Sequence, residues 1–366
     1  MSGTGPPPVA VTLHRVRLPL RAPHVAAHGR EDGREVVLVG VTDDDGVVGW
    51  GECPALSVPG YAPEWIDGAW WVLSRLLGPA VLAGRGADGV PGHPMASGAV
   101  RDALLDLRLR QAGEGPASAL GPLAPTVAFG VAVGLDDDPD RVAAAAAGAV
   151  AAGASLVVVK VRPGWAAVPL AAARDAAPGV AVAVDANGSF TEDDIDELRA
   201  LDRLGPAFVE QPLPAEDLVG SARLSRALDA PVALDEAVTG PGALEAAVAL
   251  GAGAILTVKP ARAGGVEAAA ALVVRAAAAG WGVHAGGMLE SGVGRAAARA
   301  VAALPAVAGP ALLGSTHLLF TADVVAPAPG PAPRGRVAVH PGPGLVPAPD
   351  PERLAELAVA TWHRSR

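Results

Sequence analysis

Five ionisable residues recur at near-constant intervals in the second half of the chain: Lys160, Asp185, Glu210, Asp235 and Lys259. Successive members stand 25, 25, 25 and 24 residues apart. Each closes a short apolar run ("LVVVK", "AVAVD", "AFVE", "PVALD", "ILTVK"), so a charge sits where a buried strand ends. Three carboxylates converging in a cleft cannot all stay ionised without a cation. An oxygen-only ligand set suits a hard divalent ion, Mg²⁺ above all with Mn²⁺ as a substitute. A lysine beside such an ion has a lowered pKa and becomes available as a base. Together these groups suit removal of a proton α to a carboxylate, with the metal stabilising the enediolate. One strand-end carboxylate alone is more often a helix cap or a surface charge, and one lysine can snorkel from a buried strand. Five in register outweigh those readings.

The elements that must position them follow from the pattern around them. From residue 126 onward, apolar runs at 126–134, 155–161, 180–188, 207–212, 231–238, 254–261, 281–287 and 311–316 alternate with Ala-rich helical stretches such as "TEDDIDELRALDRLG". Nearly continuous apolar strands are those buried on both faces of a parallel sheet. Eight such βα repeats predict a closed parallel barrel, whose active sites form at the carboxyl ends of the strands. Upstream, strands are predicted at 9–20, 35–42 and 47–53, then helices at 62–77 and 94–112, which together make an α+β unit. "GEGPASALGPLAPT" (113–126) marks the boundary. The tail carries a Pro/Gly linker and a strand at 337–340 predicted to return to the first unit.

Composition narrows the function classes. The 366 residues carry 28 Lys+Arg against 38 Asp+Glu, a net charge of −10, which argues against nucleic acid as a partner. Half the residues are apolar, which excludes a disordered chain. No run reads as a membrane span and none near residue 1 as a secretory signal. Cys53 is the only cysteine, so no intrachain disulfide can form and a cytoplasmic location is expected.

Beyond the five charges, "DANGSF" (185–190), "EQPL" (210–213), "LDE" (234–236), "KPARAGG" (259–265), "GGMLESGVGRA" (286–296) and "GWGEC" (49–53) resemble the enolase superfamily. The similarity is to its branch of o-succinylbenzoate synthases and N-acylamino acid (N-succinylamino acid) racemases. The resemblance implies a (β/α)7β TIM-like barrel over residues 123–328 and an α+β capping domain over 1–122, completed by 329–366. It implies Asp185, Glu210 and Asp235 as Mg²⁺ ligands and Lys160 and Lys259 as the acid/base pair. In dehydration Lys160 would take the α-proton while Lys259 stabilises the anion; in racemisation both would exchange protons. Arg262 resembles an arginine of racemase-capable members, or pairs with Asp235 or Glu236. His24, His28, Arg262, Gly287, Met288, Glu290 and Ser291 are candidates for contacting the substrate. The expected partner is a small carboxylate, with no nucleic acid or membrane, and the chain is expected to form a homo-oligomer. A dipeptide epimerase, a muconate-type cycloisomerase and a catalytically silent homologue are the alternatives.

Three departures from the family pattern stand out. Val158 replaces the first lysine of the usual Lys-x-Lys; in the other register Lys160 would be first and Arg162 would be an unusable base. His24 and His28 stand where the mobile loop, "RAPHVAAHGRE" (21–31), ordinarily carries aromatics. "GSTHLLFTADVV" (314–325) is more apolar than expected after a last barrel strand.

Overall fold

The computed structural model describes residues 8–26, 29–88, 90–326 and 334–366. Seven parallel strands, Gly130–Val133, Leu156–Lys160, Ala181–Asp185, Val209–Glu210, Val232–Leu234, Ile255–Val258 and Gly282–Ala285, form one curled sheet in chain order. We number them 1 to 7. No further full strand follows at 311–316. Instead Ala311 makes a single bridge to Phe129, Gly130 N donates to Ala311 O at 2.8 Å, and Leu312 N donates to Ala285 O at 2.9 Å. Two residues therefore link strand 7 to strand 1 and close the gap.

Alternation along the strands decides which side chains enter the barrel. Leu156, Val158, Ala183, Phe208 and Ala233 form one buried cluster, with Ile255 and Leu312 packed against it. Val157, Val159, Val182, Val184 and Val209 belong to the separate core against the outer helices. Lys160, Asp185, Glu210, Asp235 and Lys259 share the parity of the interior set, so each points inward at its strand's carboxyl end.

The run at 126–134 divides in two. Thr126–Ala128 pairs antiparallel with Arg336–Ala338, and Gly130–Val133 enters the barrel. The strand predicted to carry the tail to the first unit thus lies against the barrel instead, where Val337 and Val127 are buried together. The return is made by Ala358–Ser365, which pairs with Ala10–Leu18 as the edge of a four-stranded antiparallel sheet continued by Arg34–Thr42 and Val48–Cys53.

That sheet is packed on both faces. Val36 and Leu38 join the barrel-side core, and Val37, Val39 and Val41 join the core beneath the helices Ile66–Val72 and Pro94–Ala112. We call this N-terminal sheet and its helices the cap. The helix Pro94–Ala112 crosses Val48–Cys53 so closely that a Cβ on Gly49 or Gly51 would collide with the Ala103 or Ala99 carbonyl. This accounts for both glycines of "GWGEC". No helix among the described residues is long and apolar enough to cross a membrane.

Carboxylates join cap to barrel. Asp102 Oδ1 accepts from Val266 N at 2.9 Å, at the start of the barrel helix Val266–Ala278. Burial pushes the Asp102 carboxyl up to about 7, and burial does the same to Glu52 and Glu64. A folded value above the unfolded one means that the folded state keeps its proton to higher pH. These groups therefore lower the unfolding free energy as pH rises from about 4 to about 7, and their effect levels off above that. Asp102→Asn is expected to flatten part of this slope in urea midpoints taken from pH 4 to 8; an unchanged slope would contradict the assignment.

Candidate active site

Because strands 2 to 6 are neighbours in order, the three carboxylate strands lie between the two lysine strands. Lys160 aligns with Asp185, and Asp185 with Glu210, across the sheet. Lys160 Nζ donates to Asp185 Oδ2 and to Asn187 Oδ1, both at 2.6 Å. On the far side Lys259 Nζ donates to Asp235 Oδ2 at 2.6 Å and to the Tyr61 hydroxyl at 2.7 Å. Arg262 Nη2 lies 2.6 Å from Asp235 Oδ1 and donates to the Asp235 carbonyl at 2.6 Å, while its Nη1 donates to the Tyr61 hydroxyl. Arg162, the other candidate base, extends past its strand end and pairs with exposed Asp137.

The electrostatics are lopsided. Burial would raise Asp235, but the Arg262 guanidinium and the Lys259 ammonium hold its carboxyl well below the usual range. Burial would lower Lys259, but Asp235 keeps it well above an ordinary lysine. Glu210, on the strand between those of Asp185 and Asp235, is 1% exposed, and its Oε2 has no hydrogen-bond partner among the described residues. Burial, with the charges of Asp185 and Asp235, drives its carboxyl well above the ordinary range. Glu236, half-buried beside the charges of Asp235 and Asp185, is pushed up to about 7 by desolvation and those charges; its Oε1 accepts from Asn187 Nδ2 at 3.0 Å.

Among the described residues no three His, Cys, Asp or Glu side chains already form a metal cage, and lysines sit on one oxygen each of Asp185 and Asp235. The residues nonetheless fit a hard divalent ion. The donors are all carboxylate oxygens from adjacent strands, and a buried orphan oxygen on Glu210 lies where positive charge is missing.

A cavity of about 200 Å³ opens onto Lys160, Asp185, Glu210 and Lys259. Its walls account for the altered loops. His24 lines it from a short hairpin, His24–Ala26 with Gly29–Glu31. His28 lies outside the described residues. Ser315, Leu318 and Leu319 also line it, tied to the start of the His24 loop where Arg21 N donates to Leu319 O at 2.8 Å. The apolar character of residues 314–325 follows from their packing: Leu318 and Leu319 line the cavity, and Phe320 and Val324 are buried in the barrel-side core.

Of the other candidates, Gly287 lines the cavity. Met288 is buried in the cap core. Glu290 Oε1 accepts from Met288 N at 2.9 Å, and its Oε2 lies 3.2 Å from Arg295. Ser291 caps the helix Gly292–Ala302 and donates to Glu52, whose oxygens also accept from Ser291 N at 3.0 Å and Gly294 N at 2.9 Å. Ser291 thus holds the seam between cap and barrel, while Glu290 braces its own loop against the following helix. Arg262 is placed on Asp235 and Tyr61.

Two residues at the site escaped the sequence reading. Tyr61 is the chain's only tyrosine, a signal of its own, but it reaches Lys259 from far away in the chain, outside the barrel strands. Asn187 sits at φ 45°, a region an asparagine tolerates better than most residues, inside the quoted "DANGSF".

Comparison with known proteins agrees with this geometry. The family described as Enolase C-terminal domain-like matches residues 141–353. The chain belongs to the enolase superfamily. An N-succinylamino acid racemase of an Amycolatopsis species is 37% identical over 360 residues, 96% of this chain and 97% of that protein. An o-succinylbenzoate synthase of Geobacillus kaustophilus is 34% identical over 327 residues, 87% of each. A solved structure from Alicyclobacillus acidocaldarius, described as a probable mandelate racemase, matches with a TM-score of 0.88 at 33% identity, covering 97% of each chain. Within the superfamily, the chain falls in the o-succinylbenzoate synthase/N-succinylamino acid racemase branch.

Removing one partner of a buried ion pair typically costs about 3–5 kcal/mol. Arg262→Met is expected to lose that much in urea unfolding, because it leaves Asp235 with one cation instead of two; a loss within error of zero would show that the pair carries no such weight.

Proposed function

We propose that this enzyme removes the proton α to a carboxylate, acting as an o-succinylbenzoate synthase, an N-succinylamino acid racemase or both. The observation that carries the reading is the placement of two lysines on opposite sides of three inward carboxylates, with both lysines, Asp185 and Glu210 opening onto one cavity and Asp235 buried beside Lys259. Asp185, Glu210 and Asp235 would hold Mg²⁺, or Mn²⁺, whose positive charge would stabilise the substrate carboxylate as the α-proton leaves. Lys160 takes that proton at Nζ, with Asn187 fixing the direction in which the amine points. In dehydration the bond to the β-hydroxyl then breaks on the same face, the proton held at Lys160 Nζ passing to it so that water leaves, and Lys259 remains a cation beside the anionic intermediate. In racemisation Lys259 returns a proton to the opposite face, so the same pair serves both reactions.

Val158 fits this division of labour. It lies in the barrel interior beneath Lys160, packed with Leu156 and Ala183, so the Lys160 side carries one ammonium rather than two. The Lys259 side has a second cation, Arg262, held in place by Tyr61. The substrate is a small carboxylate. His24 at the rim gives the cavity a more polar wall than an aromatic side chain would, consistent with an anionic acyl group.

The test is α-proton exchange in D₂O with Mg²⁺, offering N-succinyl amino acids, dipeptides and the cyclohexadiene precursor of o-succinylbenzoate. Deuteration of N-succinyl amino acids, dehydration of the precursor, or both are expected. Lys160→Ala and Lys259→Ala should each lower racemisation at least ~10²-fold, the usual scale for a positioned acid or base. Each also removes one partner of a buried ion pair, so activity is compared below the lowered unfolding midpoints, with folding checked by circular dichroism. Substantial turnover in Lys160→Ala would remove it as the base. Exchange confined to dipeptides would make the chain an epimerase, and exchange with no substrate would leave a silent homologue.

A further inference from the structure

Arg34 is the largest fully buried side chain among the described residues, with 0% exposure, and it lies on the cap sheet rather than in the barrel. Its guanidinium collects backbone carbonyls from two separate loops. Nη1 donates to Ala55 O at 3.0 Å and Nη2 to Pro54 O, on the segment that leads to Tyr61. Nη2 also donates to Met288 O at 3.0 Å and Nε to Leu289 O at 3.2 Å, on the loop after strand 7. A third loop joins through charge. Glu31 Oε2 lies 3.6 Å from Arg34 Nη1, and Glu31 is the residue paired with His24 in the rim hairpin. Glu31 Oε1 in turn accepts from Ser57 N and Oγ at 3.1 and 3.2 Å.

Each of the three loops carries one side chain of the site: His24 on the rim, Tyr61 on Lys259, and Leu289 on the cavity wall. Leu289 stands at φ 55°, a left-handed conformation that a branched side chain rarely adopts and that persists only where its surroundings over-determine it. The Arg34 Nε bond to its carbonyl is part of what holds it there.

We propose that Arg34 is a positioning residue that fixes the substrate-recognising wall of the cavity, acting through Leu289 to set KM and the discrimination between N-acyl groups. It touches neither lysine nor any of the three inward carboxylates, so it governs binding and leaves the proton-transfer step alone. Lysine cannot replace it, because one ammonium cannot reproduce a planar fork that serves four carbonyls. This inference rests on the function proposed above, and its test is built to fail separately from it.

The experiment compares the Mg²⁺-supplemented full chain with Arg34→Lys, Leu289→Gly and the double variant, recording kcat and KM for N-succinyl and N-acetyl amino acids and the melting temperature. Arg34→Lys is expected to raise KM for the preferred substrate at least about fivefold, to narrow the N-succinyl/N-acetyl ratio of kcat/KM by a similar factor, and to keep kcat within about twofold. The double variant should be no worse in KM than the worse single variant, since both act on one wall. Additive changes in KM, or a fall in kcat with KM unchanged, would overturn the proposal; the second is what simple loss of folded protein produces. If the wild type turns over neither substrate, the function reading fails while the melting data still decide the contact. Arg34→Lys should then lower the melting temperature less in the Leu289→Gly background, where no left-handed strain needs holding, and equal shifts would refute the link. If Arg34→Lys does not fold, Leu289→Gly decides alone: a raised KM with kcat kept supports the proposal, and an unchanged KM overturns it.

Discussion

The interaction on which the rest of this structure depends is the balance of charge at the carboxyl end of the barrel. Asp185, Glu210 and Asp235 are all buried there, and carboxylates cannot share so dry a space without cations. Lys160, Lys259 and Arg262 supply positive charge unevenly: Asp235 has two partners, Asp185 has one, and Glu210 Oε2 has none. A divalent ion would relieve Glu210 and loosen the hold of Asp185 on Lys160 as well as that of Asp235 on Lys259. The two effects belong together, because an amine locked in an ion pair cannot accept a proton.

The cap completes this arrangement instead of merely covering it. Tyr61 reaches Lys259 and Arg262 from outside the barrel, Glu52 caps a barrel helix through Ser291 and Gly294, and Asp102 caps another. The Gly49 and Gly51 positions let the cap helix lie flush on its strand, and at Gly98 a Cβ would meet the Gly264–Gly265 backbone of the barrel at 2.8 Å. Without those close approaches the carboxylates of the cap could not reach the barrel's amides. The chemistry is thus set by inward parity on the strands, and the shape of the cavity by contacts across the domain seam.

Much of this was legible in the sequence, for a physical reason. Parallel strands buried on both faces read as apolar runs, one βα unit spans about 25 residues here, and a charge at each run's end must face the interior to have partners. Lys160 and Lys259 could be placed on opposite sides of the carboxylates on that basis alone. The short motifs resolved less well, because a conspicuous string does not say what it touches. "GGMLESG" supplied Gly287 to the cavity but spends Glu290 and Ser291 on backbone amides and on Glu52. The barrel's closure through only Ala311 and Leu312, the pairing of Arg336–Ala338 with Thr126–Ala128, and the roles of Tyr61 and Arg34 all depend on contacts between residues far apart in the chain. No local periodicity encodes those.

The most direct test of the charge-balance account is calorimetric titration of the metal-stripped protein with Mg²⁺, for wild type and Glu210→Gln. One Mg²⁺ per chain is expected to bind the wild type, with binding lost or severely weakened in Glu210→Gln while its fold is kept. Equal affinity in the two proteins, or no binding to the wild type, would show that the buried carboxylates are balanced by the lysines and Arg262 alone.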